Sequence, residues 1–495
     1  MRILVTGSTG YIGGRLTPRL REAGHDVRVL VRDPARLRDV PWASDVEIVT
    51  GDLTDAATLA PAFEGVDVVY YLVHAMGARG DFEATEVASA TNASAAAEAA
   101  GVSRIVYLGG LHPDLPLAEL SKHLRSRAEV GAILLDSGVP TVAFQAGTVI
   151  GSGSASFEMI RHLTEVLPYM PSPRWVRNFI QPIAVRDVLY YLVEAAGLPE
   201  TVNRTFDIGG PDVLRYGQMM NGYAVEAGLH QRPIASLPVL TPWLASQWVN
   251  LVTPIPRQLA VPIIASLQYD CVASEHDIAE FIPDPAGGLT GYRKAVRLAL
   301  AKVRDGEVET SWQNATIAGA PSNLLPSDPD WSGHTVYTDE RIQHSEASVD
   351  DLWAVVEGIG GENGWYSFPL AWAVRGWADK LVGGVGLRRG RRDARRLSPG
   401  DALDFWRVET IERGHTLRLR AEMKVPGQAW LEMTTEASPD GGSTYRQRAV
   451  FFPSGLGGRL YWFAILPFHG VIFSGMANKI TAAAAAQSRQ QLDER

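Results

Sequence analysis

Cysteine is almost absent from this 495-residue chain, because Cys271 is the only one. A single thiol excludes a disulfide within the chain, and such low cysteine use is typical of proteins in a reducing compartment. The first residues also lack the basic segment and the following apolar segment that together mark a secretory leader. These absences predict a cytoplasmic protein.

The chain also lacks the short motifs of several classes of site. Its histidines are scattered without HExxH spacing, no CxxC pair occurs, and no GxSxG sequence marks a nucleophile elbow. The net charge of -9 opposes non-specific binding to nucleic-acid phosphates, and no base-reading motif is present. We therefore expect no metal centre, no serine-hydrolase site and no nucleic-acid partner.

Long hydrophobic runs are scarce as well. Only one stretch, Leu460 to Ala477, approaches the length and apolar character of a membrane span. It is interrupted by Pro467 and His469, and the polar residues Asn478 and Lys479 follow it. We interpret it as a buried helix of a second domain. Peripheral contact with a membrane surface is the alternative that the sequence leaves open.

Glycine, in contrast, is abundant, and three glycines near the start of the chain are informative. A short apolar run, Ile3 to Val5, leads into a loop with glycines at 7, 10 and 13, and an amphipathic run, Tyr11 to Ala23, leaves it. This order predicts a strand, a tight turn and a helix whose N-terminus faces a bound diphosphate. The glycines would permit the turn, the approach of the backbone to the diphosphate, and close packing of helix on strand. The residues assigned to this site are Gly7, Thr9, Gly10, Tyr11, Ile12 and Gly13.

The second apolar run, Val27 to Val31, predicts the next parallel strand. An acidic residue at the end of this strand usually binds the ribose 2′-hydroxyl of NAD, but here Arg32 comes before Asp33. A guanidinium at this position pairs well with a 2′-phosphate, and Arg15 and Arg36 are near enough in sequence to contribute. The pattern favours NADP, and Asp33 keeps NAD as the alternative.

Strands and helices continue to alternate along the chain. Apolar runs at 46–49, 66–73 and 103–108 predict three strands, and the alanine-rich stretch from Glu83 to Ala100 predicts a helix. This alternation predicts an α/β fold, a Rossmann-type doubly wound parallel sheet that binds ligands at the carboxyl ends of its strands. The cofactor-site residues predicted at these ends are Asp52 and Leu53 after the third strand, and Val73 and His74 where the fourth strand ends. His74 could line the nicotinamide side of the cleft, or it could equally be an ordinary polar residue that opens a loop.

Several of these segments resemble a known family. TGSTGYIG at 6–13, VLVRDP at 29–34, YYLVH at 70–74 and RIVYLGG at 104–110 are similar to the atypical and extended short-chain dehydrogenase/reductases, above all to their NmrA-like and complex-I-subunit-like branches. The resemblance covers about residues 1 to 300. It implies a Rossmann domain that binds NAD(P).

The sequence departs from that family at the catalytic motif. The resemblance implies a serine after the fifth strand and a Tyr-x-x-x-Lys pair on the next helix, where the tyrosine exchanges a proton. Here Gly109 and Gly110 follow the strand, and by position His123 replaces the tyrosine and Arg127 replaces the lysine. His123 and Arg127 are therefore the predicted catalytic residues, with Arg127 binding ribose or phosphate.

The His123 substitution has two interpretations. Imidazole titrates near neutrality, so His123 could relay a proton, and the helical spacing of four places Arg127 on the same face. The guanidinium would then lower the pKa of His123 and favour the neutral imidazole. The alternative is that catalysis has been lost and the domain only senses, or is stabilised by, NADP(H), as the resemblance to NmrA-like regulators implies.

A stretch rich in proline and tryptophan, Leu237 to Pro262, predicts an apolar wall on the substrate side, or else a packed face between domains. With the cofactor motifs it predicts an NADP(H)-dependent oxidoreductase that acts on an apolar carbonyl, enone or quinone-like substrate. The alternative is a non-catalytic sensor, or a scaffold of a membrane-associated complex. The sequence predicts no oligomeric state.

The composition changes near residue 306. The segment 306–332 is polar and contains several glycines and prolines, which predicts a linker between a first domain at 1–305 and a second at 333–495. Alternating runs between 402 and 452 predict an antiparallel sheet, and the apolar run from Arg459 to Ala486 predicts a long closing helix. This arrangement resembles the START/polyketide-cyclase-like helix-grip fold. More narrowly, it resembles the domain of unknown function that follows an NAD(P)-binding domain in some bacterial oxidoreductases.

The START-like resemblance implies an apolar cavity between the sheet and the closing helix, suited to a lipid-like ligand; a filled cavity is the alternative. The same domain contains six arginines within residues 388–396. Such a cluster could meet anionic headgroups, phosphates or an acidic surface, although a solvated loop is the usual explanation.

Overall fold

The computed structural model describes residues 1–38, 40–74, 82–236, 253, 255, 257–304, 336–360, 364–366, 396–439 and 441–493. The contacts divide the chain into two compact units, Met1–Gly333 and His334–Arg495. The predicted linker, most of the predicted apolar wall and the arginine cluster up to Arg395 lie outside the described residues.

The first unit contains a seven-stranded parallel sheet and several short strands outside it. Its strands are β1 Arg2–Thr6, β2 Asp26–Val31, β3 Glu47–Thr50, β4 Val68–Tyr71, β5 Arg104–Gly110, β6 Thr141–Ala146, β7 Val149–Ile150, β8 Met170–Ser172, β9 Phe179–Ile180, β10 Ile183–Ala184, β11 Arg204–Ile208, β12 Leu214–Arg215 and β13 Ile234–Ser236. Seven of them form one sheet in the order β11-β6-β5-β4-β1-β2-β3, and every neighbouring pair in it is parallel. The predicted doubly wound fold is confirmed.

The helices of this unit are α1 Tyr11–Glu22, α2 Ala60–Phe63, α3 Phe82–Ala99, α4 Lys122–Leu135, α5 Ala155–Val166, α6 Val185–Ala195, α7 Tyr216–Glu226, α8 Arg257–Ser266 and α9 Tyr292–Arg304. The helices α1 and α6 cover one face of the sheet and α2, α3 and α4 the other, whereas α5, α7, α8 and α9 pack in a separate hydrophobic cluster. Because side chains alternate along a strand, Ile3 and Val5 of β1 pack with α1 and α6, and Leu4 packs in the cluster that contains α3 and α4. Each fully buried side chain of this size contributes about 2 kcal/mol of hydrophobic stabilisation.

The strand order determines where a ligand can bind. The chain winds from β1 to β3 in one direction and then returns to β4 on the other side of β1. The loops that follow β1 and β4 therefore diverge at the carboxyl edge of the sheet, and such a switch point opens a crevice for ligands. The glycine loop follows β1, and His74 follows β4.

The second unit contains an antiparallel sheet. Its strands are β14 Tyr337–Ser345, β15 Ala402–Leu403, β16 Trp406–Glu412, β17 Thr416–Ala421, β18 Gly427–Ala437 and β19 Ser443–Pro453, in the order β14-β19-β18-β17-β16-β15. Its described helices are α10 Val349–Glu357 and α11 Gly455–Asp493. The Ser348 hydroxyl caps α10 by accepting a hydrogen bond from the Asp351 amide, at 3.1 Å. The predicted antiparallel sheet and long closing helix are confirmed.

The two halves of α11 differ in burial. Phe473, Met476, Ile480 and Ala484 in the second half belong to the core of this unit, together with side chains of α10 and of the sheet. The first half is largely exposed. Within the 18-residue stretch of α11 that is apolar enough to cross a membrane, only 22% is buried. The prediction of a buried helix is therefore wrong for the first half, because apolar composition does not determine which face a neighbour covers.

Candidate cofactor and active site

The glycine loop after β1 leaves no room for side chains at two of its three glycines. Gly7 has a φ of +78°, and a Cβ there would lie 2.7 Å from the Leu72 carbonyl oxygen. A Cβ on Gly13 would lie 2.3 Å from the Gly7 carbonyl oxygen and 2.9 Å from the Cα of Ser8. Glycine is thus required by the turn at Gly7 and by the packing of α1 at Gly13.

The start of α1 has the features of an anion site. Gly10 is the N-cap in an extended conformation, no side chain caps the helix, and its first turn contains no acidic residue. Gly10 is exposed, and Thr9, Tyr11 and Ile12 are partly buried. The start of α1 therefore presents its amide groups and its dipole without a side-chain cap or a competing carboxylate, which suits the diphosphate of a dinucleotide. The residues of the loop fit the predicted cofactor.

Basic residues lie near the end of β2, where a 2′-phosphate is predicted. Arg32 and Arg36 are exposed. Asp33 caps the short helix Pro34–Leu37, since its carboxylate accepts a hydrogen bond from the Ala35 amide at 3.0 Å. Arg15 is placed differently, because it is buried and its guanidinium lies 4.1 Å from the centroid of the Tyr11 ring. The expected contribution of Arg15 is therefore not available in this arrangement.

The loop after β3 is held by its own polar groups. The Asp52 carboxylate accepts hydrogen bonds from the amide and the hydroxyl of Thr54, both at 2.9 Å. The carbonyl oxygen of Leu53, whose side chain is buried, accepts from the Asn92 amide group at 2.9 Å. These contacts shape the loop on the side where the adenine is predicted.

The loop after β4 leads to a buried chain of polar groups. Val73 is partly buried, and the next residue, His74, contacts the Glu86 carboxylate of α3 through Nδ1. The other oxygen of Glu86 accepts a hydrogen bond from the Ser126 hydroxyl of α4. Glu86 and Ser126 are buried, so the carboxylate joins β4, α3 and α4 away from solvent.

This burial determines the protonation states. Desolvation is the main cause that lowers the pKa of His74 to about 4, and the charge of Arg127 adds to it. For Glu86, desolvation would raise the pKa, but the hydrogen bonds from His74 and Ser126 and the charge of Arg127 lower it to about 2. At neutral pH a neutral imidazole therefore donates its Nδ1 proton to an ionised carboxylate, and His74 Nε2 is the acceptor nitrogen.

His123 lies in the first turn of α4, beside His74. The two ring centroids are 5.1 Å apart. Within the described part of the chain, neither His123 Nδ1 nor His74 Nε2 has a hydrogen-bond partner, and both atoms are buried. Desolvation, followed by the charges of His74 and Arg127, lowers the pKa of His123 well below its usual value. The structure thus brings together the histidines predicted from two separate motifs.

Arg127 follows His123 by one helical turn and contacts Tyr107 of β5. Its Nη1 donates to the Tyr107 hydroxyl at 3.2 Å, and that hydroxyl donates to the Arg127 carbonyl oxygen at 3.1 Å. Desolvation would lower the pKa of Arg127, but Tyr107 and Glu86 raise it, so the guanidinium remains charged. Desolvation also raises the pKa of Tyr107. The pair therefore does not provide an acidic tyrosine of the kind that a Tyr-x-x-x-Lys motif supplies.

One further histidine was not predicted from the sequence. His112 lies two residues beyond β5, and its Nε2 accepts a hydrogen bond from the Gln145 side chain at 3.1 Å, while Nδ1 faces the Pro113 carbonyl oxygen at 3.1 Å. It lines a cavity of about 210 Å³ together with Arg127 and Gln145. The sequence signal for His112 is its place just after β5, close to where the family resemblance implies a catalytic serine.

Comparison with protein families supports both units. Residues 7–136 match a family model described as NAD(P)H-binding. Residues 331–476 match a family described as a protein of unknown function, which agrees with the narrower of the two resemblances of the second domain. These matches give no support to a START-like domain.

Three relatives illustrate the match of the first unit. A (4-alkanoyl-5-oxo-2,5-dihydrofuran-3-yl)methyl phosphate reductase from Streptomyces griseus is 32% identical over 218 residues, which cover 43% of this chain and 69% of that protein. An NAD(P)H azoreductase from Xenophilus azovorans is 28% identical over 235 residues, covering 47% of this chain and 76% of the relative. A 3 beta-hydroxysteroid dehydrogenase/Delta 5-->4-isomerase from Mycobacterium tuberculosis is 29% identical over 192 residues, covering 33% of this chain, and the match spans only 50% of that relative.

Among solved structures, the Citrobacter triphenylmethane reductase complexed with NADP(H) aligns with 61% of this chain and all of its own, at a TM-score of 0.48 and 18% identity. The glycine loop, the parallel sheet, the family match and the reductase relative agree with one another. The chain therefore belongs to the NAD(P)H-binding Rossmann-fold proteins of the NmrA-like and short-chain dehydrogenase/reductase type.

Proposed function

We propose that the protein is an NADPH-dependent reductase of an apolar carbonyl, enone or quinone-like substrate, with His123 as the proton partner. The observation that carries this proposal is the buried pair of His74 and His123 at the carboxyl edge of the sheet, connected to Glu86. Buried titratable groups with strongly shifted pKa values at such an edge are typical of catalytic sites.

When bound, the cofactor would supply a hydride to the substrate carbon, and the substrate oxygen then needs a proton. His123 is neutral at physiological pH, so its ring N–H would donate a hydrogen bond to that oxygen. The proton would pass to the oxygen as the other ring nitrogen takes up a proton that comes from solvent, so that the imidazole is neutral before and after the step. His74 is a positioning residue in this scheme, because Glu86 holds its tautomer and its ring lies against His123.

The preference for NADPH rests on the end of β2. Arg32 is exposed there, and the Asp33 carboxylate already caps a helix, so the acidic group that would bind a ribose hydroxyl is engaged. A guanidinium next to the adenine ribose is the usual partner of a 2′-phosphate.

The apolar substrate is supported by the sequence of the predicted wall and by the names of the relatives. These relatives are a reductase of a furanone phosphate, an azoreductase and a hydroxysteroid dehydrogenase. Two of them are reductases, which favours reduction as the direction of the reaction. The substrate itself is part of the proposal.

The test is NADPH oxidation with a panel of apolar ketones, enones and quinones. We expect turnover with at least one class, and a His123→Ala variant should lose about 100-fold in kcat, as is typical when a general acid is removed. Its Kd for NADPH should stay within a factor of about two. His230→Ala, which changes an exposed histidine, is the matched control and should keep wild-type turnover.

Two outcomes would contradict the proposal in different ways. Full activity of the His123→Ala variant would remove His123 from the reaction but leave the reductase intact. Tight NADPH binding without turnover on any member of the panel would favour the sensor alternative instead.

A further inference from the structure

The first half of α11 exposes large apolar side chains in the second unit. Leu460 is 61% exposed, Phe463 is 60%, Phe468 is 65% and Val471 is 58%. Soluble proteins expose single apolar residues everywhere, but a contiguous group of this size usually marks an interaction surface.

The exposed residues follow the helical repeat. Leu456, Leu460, Phe463, Pro467 and Val471 are separated by three or four positions, so they lie on one face of α11. We call this set the apolar stripe. At 1.5 Å per residue the stripe is about 22 Å long, so it forms an extended apolar surface and not a single exposed side chain.

The opposite face of the same turns is held by the sheet. Trp462 is buried and stacks on Tyr337 of β14, with ring centroids 5.3 Å apart, and on Phe451 of β19, at 5.9 Å. His469 contacts Trp462 and Phe473 edge to face. The helix is therefore anchored along one side. Within the apolar stripe, Phe463 also meets the Tyr337 ring edge to face at 5.7 Å, and its side chain remains 60% exposed.

The chemistry of the stripe indicates what it contacts. Between Gly455 and Lys479 the helix has no acidic residue, and its charged residues there are Arg459, near the start of the stripe, and Lys479, two helical turns beyond Val471. An exposed helix face of leucine, phenylalanine and valine, on a segment whose only charges are basic, matches a bilayer with anionic headgroups. The helix is long and apolar enough to cross a membrane, but crossing would expose Trp462 and Phe473 by removing them from the sheet.

We propose that the apolar stripe of α11 docks the second unit on the surface of an anionic phospholipid bilayer, with the helix parallel to the membrane plane. This proposal does not depend on the proposed reductase activity. The stripe enters the boundary between headgroups and acyl chains, while the face anchored on β14 and β19 keeps its protein contacts.

The experiment measures partitioning of the full chain onto large unilamellar vesicles by co-sedimentation. Vesicles of phosphatidylcholine with one third phosphatidylglycerol should bind the wild type, and vesicles of phosphatidylcholine alone should bind it several-fold more weakly. The triple variant Leu460→Gln, Phe463→Gln, Val471→Gln should bind the anionic vesicles at least 10-fold more weakly. The matched control is Ile48→Gln, Val213→Gln, Ile342→Gln, which changes three exposed apolar residues elsewhere and should bind within about two-fold of wild type.

A charge pair at one position provides a second test that does not depend on the folding of the triple variant. Phe463→Asp should weaken binding to anionic vesicles at least 10-fold, and Phe463→Lys should weaken it only two- to three-fold, because lysine is attracted to the headgroups. No binding of the wild type to anionic vesicles would overturn the proposal. A dimer that forms through the stripe, detected by sedimentation velocity and lost in the Phe463 variants, would overturn it in favour of a second copy of the chain.

Discussion

The two ends of the predicted cofactor crevice are built in opposite ways. The loop end, formed by Gly7, Gly10 and Gly13, uses backbone groups and has almost no side chains. The histidine end, formed by His74 and His123 with Glu86 behind them, uses buried side chains whose protonation depends on one another. Function at the loop end depends on the shape of the backbone, and function at the histidine end depends on contacts among buried side chains.

This difference explains why the ends differ in how tolerant they should be. A backbone site fails when a single atom occupies the wrong volume, because the Cβ of any other residue meets backbone that cannot move aside. In a side-chain network a group of similar shape can replace one member without a steric clash, and the cost is about 1 to 3 kcal/mol for each buried partner that loses its hydrogen bond. Mutations at the two ends should therefore separate cofactor binding from proton transfer.

The largest effect should come from Gly13→Ala, which tests the loop end. The new Cβ would lie 2.3 Å from the Gly7 carbonyl oxygen, so the loop and α1 must separate. We expect the Kd for NADPH, measured by isothermal titration, to rise at least about 100-fold. Gly197→Ala is the control, because its Cβ would lie 3.8 Å from the Glu194 carbonyl oxygen, an ordinary van der Waals contact, and binding should not change. Affinity within three-fold of wild type for Gly13→Ala would contradict a rigid loop end.

The next effect concerns the histidine end. Glu86→Gln keeps the shape of the side chain but removes the negative carboxylate that accepts hydrogen bonds from His74 and Ser126. We expect the free energy of unfolding, measured with urea, to fall by about 1 to 3 kcal/mol. Cofactor affinity should stay near wild type, which would sharpen the contrast with Gly13→Ala.

Glu83→Gln is the matched control for that variant. Glu83 lies one turn earlier on α3 and pairs with Arg125 at 2.7 Å in a more exposed position. Exposed pairs contribute less than about 1 kcal/mol, so this variant should lose little stability. Equal losses in the two variants would mean that Glu86 has no special place in the network.

The loop end was predictable from the sequence because its information is local. Ile3 to Val5 and the three glycines lie within eleven residues, and the strand, turn and helix follow from that order alone. The Ser348 cap of α10 was predictable for the same reason, since the serine and the amide that it accepts from are three residues apart.

The histidine end was only partly predictable. His74 and His123 were each identified from a motif, but their contact is made across 49 residues by the packing of α4 beside the end of β4. Glu86 lies in an alanine-rich helix that gives it no distinguishing pattern, and it meets Ser126 only because α3 packs on α4. Non-local contacts of this kind leave no periodic signal.

Protonation of His74 at the histidine end should make the folded protein less stable in acid. The pKa of His74 is about 4 in the folded protein and about 6.5 in an unfolded chain, so the unfolded state binds the proton first. The contribution is present above pH 6.5 and is lost as the pH falls towards 4. The lowered pKa of Glu86 acts in the same direction between about 4.3 and 2.

We expect the free energy of unfolding to be about 2 kcal/mol lower at pH 5.0 than at pH 7.5 from His74 alone. Urea titrations at the two pH values measure this difference. His74→Gln preserves a side-chain amide donor near Glu86 but cannot titrate, so its pH dependence should be smaller by about the same amount. An unchanged pH dependence in this variant would show that His74 is accessible to protons in the folded state.

The smallest effect should come from Arg32, at the outer margin of the loop end, where cofactor binding depends on a side chain and not on the backbone. Arg32 is exposed at the end of β2, and Arg32→Ala should raise the Kd for NADPH about 10-fold, because one charge-assisted contact to the 2′-phosphate is lost. The Kd for NADH should not change, since NADH lacks that phosphate. Arg21→Ala removes an exposed arginine near the far end of α1 and should leave both affinities unchanged. If Arg32→Ala weakens both cofactors equally, Arg32 contributes only a general positive field, and selectivity for the phosphate must come from another residue.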